Sequence, residues 1–216
     1  LREAGGMLVT GVKIETLRYI EGVWEVKGPG RSFSAPIVVN AAGAWGDQIA
    51  HLAGTKAMGL LPKRRTALTI DPQVSHRDWP LTISIDETWY FRPEGGYLLI
   101  SPADETLCMP CDSQPDELDI AKCINLIERV TNIKIREVVS KRAGLRTFVS
   151  DGSPVCGYAE DVNGFFWLVG QGGYGIQTAP ALSVIASDLI LKQKKQSGPL
   201  VKGIMAEDLS PARMIS

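Results

Sequence analysis

The sequence predicts an α+β fold from three observations. Residues 37–39 are continuously apolar, as in a strand that is buried on both faces of a sheet. Between residues 64 and 101, four short strand patterns follow one another with a hairpin turn at 93–96, which is typical of an antiparallel sheet. Two segments, one after Pro115 and one around Pro180, instead repeat their apolar residues with the helical period.

The first 43 residues predict a small layer of strands ahead of the buried one. Residues 1–4 have the pattern of the last turn of a helix, closed by Gly5. Strands are expected at 8–14, 22–27 and 32–35, with a Gly-Pro-Gly turn between the second and the third. Residues 40–43, after the buried strand, are small enough for close backbone approach. Tight strand packing and a ligand contact explain them equally well.

The remainder of the chain predicts an antiparallel sheet, a helix, further strands and a closing helix. The expected strands of the sheet lie at 64–70, 81–85, 88–92 and 97–101. Pro115 and the acidic residues after it mark the start of a helix that continues to Val130. Strand patterns return at 133–140, 145–149 and 165–169, before a closing helix that holds Pro180 in its first turn.

The composition excludes several classes of partner. The 216 residues carry a formal net charge of −1, which gives no electrostatic reason to expect a nucleic acid or an anionic membrane. No apolar run approaches the roughly 20 residues that a membrane-spanning helix needs, and no signal-peptide pattern is present. We therefore expect a cytoplasmic protein without a transmembrane segment.

The four cysteines raise the question of a metal or redox site. Cys108 and Cys111 form a C-x-x-C pattern, but a structural zinc site needs a second close pair of ligands. Cys123 falls on the predicted helix, Cys156 stands alone, and both histidines are distant in the sequence. We therefore expect free thiols and no metal, with a metal or redox site as the minor alternative.

A glycine-rich loop stands between the last predicted strand and the closing helix. Gly170, Gly172 and Gly175 spell G-x-G-x-x-G, the spacing that cradles a dinucleotide pyrophosphate. The rest of that motif is missing, because no strand and no acidic residue follow the helix at the required distance. The helix runs into a polar stretch at 192–199 instead. We conclude that this loop holds something other than a dinucleotide pyrophosphate.

Three collinear segments resemble the flavin-dependent D-amino-acid oxidase and dehydrogenase superfamily, also called the glycine oxidase-like group. They are VVNAAGAW at 38–45, RAGLRTFVSDGSPVCGY at 142–158 and FFWLVGQGGYGIQTAP at 165–180. Within that group the chain is most similar to the bacterial D-arginine dehydrogenases, through PKRRTALTI at 62–70, DETWYFRPEGG at 86–96 and QPDELDIA at 114–121. The N-terminal G-x-G-x-x-G that grips FAD in this family is absent. The resemblance therefore implies a C-terminal fragment.

The resemblance implies FAD as the cofactor and gives the glycine loop a role. In the family this loop lies beneath the flavin, and its helix N-terminus faces the pyrimidine edge of the ring. The implied cofactor-binding residues are Ala42, Gly43, Trp45, Gly170, Gly172, Tyr174, Gly175, Ile176 and Gln177. Some relatives attach the flavin through a cysteine at the position of Gly144, so FAD is expected to be non-covalent here. We expect the chain alone not to retain it.

The resemblance also implies the substrate site. Tyr90 and Arg146 would bind the substrate α-carboxylate, Arg65 would lie nearby, and the backbone carbonyl of Gly173 would accept a hydrogen bond from the α-amino group. A planar guanidinium suits this task, because it binds a carboxylate through two donors. Period-2 alternation places Tyr90 and Arg92 on the same face of their strand, which suits an inward tyrosine. Without the resemblance, each arginine would be taken for a surface ion-pair residue.

The implied organisation is a C-terminal part of an FAD-binding, Rossmann-like domain at 1–61, an antiparallel substrate domain at 62–141, and a return to the FAD-binding domain at 142–216. The implied activity is oxidation of a D-amino acid to the imino acid and then the 2-oxo acid, and the finer expectation is a basic substrate such as D-arginine. An enzyme for glycine, sarcosine or another secondary amine, or a non-catalytic β-rich binding module, is the alternative. We expect a small-molecule substrate and a homo-oligomer, because a half-domain exposes apolar surface.

Overall fold

The structure, a computed structural model, describes residues 2–192 and 203–214. The chain divides into two compact units, Leu1–Leu60 with Phe148–Ser216, and Leu61–Thr147. Helices and strands both build the fold, which confirms the predicted α+β class. The assignment of these regions to an FAD-binding and a substrate domain stays a prediction.

The described residues form twelve strands and four α-helices. The strands are β1 Thr16–Ile20, β2 Val23–Gly28, β3 Arg31–Ala35, β4 Val38–Asn40, β5 Leu61–Ile70, β6 Thr82–Ile83, β7 Tyr90–Glu94, β8 Tyr97–Ser101, β9 Thr106–Leu107, β10 Val138–Phe148, β11 Val155–Tyr158 and β12 Phe165–Val169. The helices are α1 Gly46–Ala53, α2 Glu117–Val130, α3 Gly175–Leu191 and α4 Ala206–Leu209. Short 3-10 helices cover Arg2–Ala4, Gly43–Trp45 and Pro211–Met214.

Strands β1, β2 and β3 form the predicted N-terminal layer as an antiparallel sheet, but its first strand was predicted wrongly. Residues 8–14 are not a strand, and β1 lies at Thr16–Ile20. Glu21 and Gly22 both have positive φ and form a two-residue turn, so β1 pairs directly with β2. Leu17 and Trp24 lie buried in the core that contains Phe165, whereas Leu8 stays 58% exposed. Burial of the β1–β2 pair, and not the apolar pattern at 8–14, decides which segment joins the sheet.

A second sheet of the first unit has the order β11, β12, β4. β11 and β12 are buried on both faces, whereas β4, predicted to be buried on both faces, leaves Val39 41% exposed at the edge of the sheet. β12 runs parallel to β4 and antiparallel to β11. Phe165 and Trp167 pack into a core with Trp24, while Phe166 faces Leu182 of α3 in a separate core. Burial on both faces explains the continuous apolar run at 165–169. β11 and α1 were not predicted from the sequence.

The second unit is an antiparallel six-stranded sheet with α2 on one face. The strand order is β10, β5, β8, β7, β6, and β9 also pairs with β5. Ile120, Cys123 and Ile127 of α2 pack against the sheet. Gly95 and Gly96, both with positive φ, make the predicted hairpin turn between β7 and β8.

The ends of the helices follow local sequence signals. The Asp116 side chain accepts hydrogen bonds from the backbone nitrogens of Leu118 and Asp119, at 2.9 and 3.2 Å, and caps α2 near the predicted start.

The two strands predicted at 133–140 and 145–149 are instead one strand, β10, and Ile133 packs into the core beneath α2. The polar stretch predicted after α3 lies at 193–199 outside the described residues.

Candidate functional site

Two loops of the first unit leave the same edge of its buried sheet. Because β4 and β12 are parallel neighbours, with Trp167 opposite Asn40, their carboxyl ends lie side by side. In open sheets of parallel strands, ligands bind outside the carboxyl ends. These two loops and the first turn of α3 contain all the predicted cofactor residues: Ala42, Gly43 and Trp45 after β4, Gly170, Gly172 and Tyr174 after β12, and Gly175, Ile176 and Gln177 in α3.

The first loop is folded back by Asn40, the last residue of β4. The buried Asn40 side chain donates from Nδ2 to the carbonyl of Gly46 at 2.9 Å. Its Oδ1 accepts from the backbone nitrogen of Ala42 at 3.3 Å. Gly43 has φ +55°, and a Cβ there would meet no atom within 4 Å. Sequence reasoning included Asn40 among the small residues 40–43 but gave its side chain no role, although an asparagine at the end of an apolar strand is a detectable signal.

The second loop has room only for glycine at one position. Gly172 has φ +55°, and a Cβ built on it would lie 2.4 Å from Cε1 of the Phe148 ring. Gly170 has φ +75° but only ordinary contacts of 3.6 Å or more. The backbone nitrogen of Tyr174 donates to the carbonyl of Gln171 at 3.1 Å and closes the turn before α3. The Phe148 ring therefore sets the path of the loop.

The first turn of α3, which follows the second loop, is exposed to solvent. The backbone nitrogens of Gly175, Ile176 and Gln177, in this first turn, have no acceptor within the helix. The first intrahelical bond runs from the backbone nitrogen of Thr178 to the carbonyl of Tyr174, at 3.0 Å. No acidic side chain stands in this turn. Tyr174 is 61% and Ile176 95% exposed. This helix end can therefore interact with a group that carries partial negative charge, because it has about half a positive charge of its own.

The second unit has one sheet face that α2 does not cover. Phe91 packs into the core beneath α2, so its strand neighbours Tyr90 and Arg92 lie on the opposite face, as the alternation predicted. On β5, Leu68 is also in that core. Arg65, three residues before it, lies by the same alternation on the face of Tyr90. Tyr90 is half-buried there.

Glu105 interacts with two of the predicted arginines, Arg65 and Arg146. Its carboxylate accepts from Lys63 Nζ at 2.8 Å and from Arg65 Nη2 at 2.9 Å. The hydrogen bond from Lys63 lowers the pKa of Glu105, and the charges of Lys63, Arg65 and Arg146 lower it further. Arg65 thus contacts Glu105 directly, whereas Arg146 acts on this carboxylate only through its charge. The remaining predicted site residue, Gly173, belongs to the first unit.

Other charges of the same unit form ion pairs. On the open face, Glu94 pairs with Arg142 at 2.8 Å and with Arg92 at 2.5 Å. The Arg142 hydrogen bond, with the charge of Arg92, lowers the pKa of Glu94. Arg64, on β5, pairs with Asp104 at 3.1 Å and with Asp119 of α2 at 2.7 Å. Arg64 donates to two carboxylates, and Arg92 and Arg142 are more than half exposed, whereas Arg65 donates to one carboxylate and keeps a buried Nε without a partner among the described residues. Arg65 is therefore the better candidate for substrate binding.

All four cysteines are free thiols. Burial raises the pKa of Cys123 to about 12 and that of Cys156 to about 11, which keeps both protonated. Within 2–192 and 203–214, no group of three or more histidine, cysteine or acidic side chains could hold a metal. In the same residues, no helix is both long and apolar enough to cross a membrane.

The sequence matches the profile of the DAO family, described as FAD dependent oxidoreductase, over residues 1–189. The chain belongs to the DAO family of FAD-dependent oxidoreductases. It is 32% identical to FAD-dependent oxidoreductase domain-containing protein 1 of Mus musculus, over 72% of this chain and 36% of that protein. It is 24% identical to human mitochondrial dimethylglycine dehydrogenase, over 88% of this chain and 24% of that protein.

Solved structures share the fold of this DAO-family chain. Glycine oxidase from Geobacillus kaustophilus superposes with a TM-score of 0.76 at 21% identity, covering 94% of this chain and 55% of that one. Iminodiacetate oxidase from Chelativorans sp. BNC1 superposes with a TM-score of 0.77 at 19% identity, covering 93% and 52%. The chain thus spans about half of these structures and about a third or less of the two curated relatives.

The DAO-family cofactor fits the two loops of the first unit. A flat ring needs close backbone approach, and the loops offer glycines at positions 43, 170 and 172 with left-handed backbone. A reduced flavin also carries negative charge, which suits the open first turn of α3. The residue types and the exposure of both loops are therefore compatible with FAD.

Proposed function

We propose that this chain carries the substrate-carboxylate clamp and the flavin-ring loop of an enzyme that oxidises an amino acid at its α-carbon. The observation that carries the proposal is the cluster on the open face of the second unit. There Arg65 and the charge of Arg146 act on one carboxylate, Glu105, and Tyr90 lies on the same sheet face. A site that already attracts one carboxylate suits a substrate that carries another.

The proposed part of the arginines is orientation. Arg146 and Arg65 would hold the substrate α-carboxylate through paired donors, and Tyr90 would add a phenol donor. A carboxylate fixed in this way leaves the α-carbon little freedom, which lowers the entropic part of the barrier. FAD, when bound, supplies the acceptor for the hydride that leaves the α-carbon. The product is an imino acid, which water converts to the 2-oxo acid and ammonia.

The proposed part of the first unit is to support the cofactor. The residues assigned to it are Ala42, Gly43, Trp45, Gly170, Gly172, Tyr174, Gly175, Ile176 and Gln177. The first turn of α3 would place its unpaired N–H groups at the edge of the flavin ring where negative charge accumulates. The carbonyl of Gly173 would accept from the substrate amino group and hold it against the ring. FAD would be non-covalent, since Gly144 offers no sulfur.

The substrate class that we favour is a D-amino acid, and a basic side chain as in D-arginine is the finer hypothesis. A second candidate is glycine or a secondary amine. The names of the related proteins favour it, because they include glycine oxidase, iminodiacetate oxidase and dimethylglycine dehydrogenase. Both classes carry an α-carboxylate, so the clamp serves either. A non-catalytic binding module remains the third candidate, and it predicts no turnover at all.

The decisive experiment replaces Arg146 with lysine in the flavin-loaded enzyme. Arg146→Lys keeps the charge but loses the planar pair of donors. Loss of one charge-assisted clamp is expected to cost about 2–4 kcal/mol, or roughly 30- to 1000-fold in kcat/KM, for every amino acid turned over. Flavin absorbance is expected to stay unchanged. The measurement is steady-state kinetics with glycine, sarcosine, D-alanine and D-arginine.

Arg142→Lys is the matched control, because Arg142 lies on the same strand in a pair with Glu94 and is 56% exposed. It is expected to change kcat/KM by less than about threefold, as exposed pairs contribute about 1 kcal/mol or less. If both variants lower kcat/KM by equal, small factors, Arg146 does not bind the substrate carboxylate. The ranking of the four substrates in the unmodified enzyme separates the D-amino acid from the secondary-amine hypothesis.

Three further expectations belong to this proposal. The chain alone is expected to retain little flavin, to form a homo-oligomer and to reside in the cytoplasm. Absorbance at the flavin bands after purification tests the first, and light scattering tests the second. Fractionation of the source cells tests the third. A stoichiometric flavin spectrum, a monomeric mass or recovery with membranes would each reject the corresponding expectation.

A further inference from the structure

The Arg65 guanidinium uses only part of its hydrogen-bonding capacity. Its side chain is 13% exposed, so water reaches it poorly. Nη2 donates to Oε1 of Glu105 at 2.9 Å. Nε is buried and has no hydrogen-bond partner among the described residues. A buried donor without a partner is costly, and it commonly marks a position that a ligand or water fills.

Nε and Nη2 lie on the same edge of a guanidinium. That edge is one of the two through which arginine binds both oxygens of a carboxylate in parallel. Glu105 contacts the edge through one oxygen only. Its other oxygen, Oε2, accepts from Lys63 Nζ at 2.8 Å. Lys63 thus holds the Glu105 carboxylate so that it does not complete the pair with Arg65, and the Nε half of the edge has no hydrogen bond among the described residues.

Glu105 is also able to leave Arg65. It lies in the short segment between β8 and β9, and its side chain is 48% exposed. Its bond to Lys63 would remain after such a move, so the charge would keep a partner. Arg65, in contrast, is anchored within β5 and mostly buried. The glutamate is therefore the mobile member of the pair and the arginine the fixed one.

We propose that Glu105 is an internal stand-in for the substrate carboxylate: it occupies one donor of Arg65 in the free protein and yields the Nε–Nη2 edge when a substrate binds. This rests on the proposed carboxylate clamp and adds a competitor to it. The substrate carboxylate would make two parallel bonds where Glu105 makes one. Glu105 would shift to Lys63 alone. In the free protein Glu105 thereby neutralises the fixed, poorly hydrated guanidinium of Arg65. As a competitor, it also sets the affinity of this site for a substrate carboxylate.

The test measures binding of acetate, a carboxylate without an amino group, to the full chain. The readouts are the ¹H–¹⁵N signal of Arg65 Nε and the dissociation constant from its titration. Glu105→Gln removes the competing charge and is expected to tighten acetate binding roughly 3- to 10-fold. Glu94→Gln, which removes a carboxylate paired with other arginines of the same sheet face, is the control and is expected to leave acetate binding within about twofold.

The outcomes separate this proposal from the clamp on which it rests. If acetate shifts the Arg65 Nε signal equally in the unmodified protein and in Glu105→Gln, with equal affinity, the stand-in role is rejected and the clamp stands. If acetate causes no shift in any variant, the clamp itself fails. A second series uses D-arginine and D-alanine. Weaker binding of D-arginine alone to Glu105→Gln would mean that Glu105 binds the cationic side chain, which would also overturn the proposal. Circular dichroism of each variant confirms that it is folded.

Discussion

Replacement of Gly172 by alanine is expected to be among the most destabilising single-methyl additions in the glycine loop. Two costs combine. Gly172 has φ +55°, a backbone conformation that costs an L-residue about 1–2 kcal/mol. The added Cβ would also lie 2.4, 2.8 and 3.0 Å from three carbons of the Phe148 ring, which forces the ring or the loop to move. Overpacking of this kind costs about 1–3 kcal/mol, for a total of about 2–5 kcal/mol.

Gly43→Ala is the matched control, because Gly43 has the same φ of +55° but no atom within 4 Å of the added Cβ. It is expected to show the backbone cost alone, about 1–2 kcal/mol. Urea unfolding followed by tryptophan fluorescence measures both variants. A double variant with Phe148→Ala isolates the steric part, since Gly172→Ala should then cost no more than Gly43→Ala. The reasoning is refuted if Gly172→Ala and Gly43→Ala are equally destabilising in the unmodified background.

Two further predictions concern stability and thiol chemistry. Arg213→Ala should lower the free energy of unfolding by about 1–3 kcal/mol, because this guanidinium is 17% exposed and donates to Asp151 at 2.8 Å and to three backbone carbonyls. The Arg213 hydrogen bond lowers the pKa of Asp151, so the stability that this pair contributes is present above the ordinary aspartate pKa of about 4 and is lost as the pH falls through the lowered value. In urea titrations at pH 3 to 7, the free energy of unfolding should therefore depend less on pH in the variant. An unchanged pH dependence would contradict this prediction. Iodoacetamide at pH 8 should modify the exposed Cys111 first and spare the buried Cys123 and Cys156, whose pKa values burial raises to about 12 and about 11. Mass spectrometry of the folded protein gives the order, and early labelling of either buried thiol would contradict it.

The candidate site was predicted in part from the sequence. The glycine loop was found because glycines with a fixed spacing between an apolar strand and a helix are a local pattern. Tyr90 was placed on the face opposite Phe91 because side chains alternate along any strand. The role of the Asn40 side chain and the position of Glu105 were missed. Their roles come from a contact to Gly46 across a turn and from a contact to Arg65 across 40 residues of sequence, which no local pattern encodes.

What the sequence by itself determined is the set of properties that depend on neighbouring residues. The apolar run at 165–169 predicted a strand, Pro115 and Asp116 predicted the start of α2, and the paired glycines predicted the β7–β8 turn. These signals suffice because backbone conformation and periodicity are short-range.

Only the tertiary structure decided which segments pair and which charges meet. It selected β1 over residues 8–14, merged two predicted strands into β10, and brought Glu105 between Lys63 and Arg65. Each of these outcomes depends on burial shared between segments that are distant in the chain. Such a contact stabilises the fold only when both partners are in place, so the local sequence of one segment does not predict it.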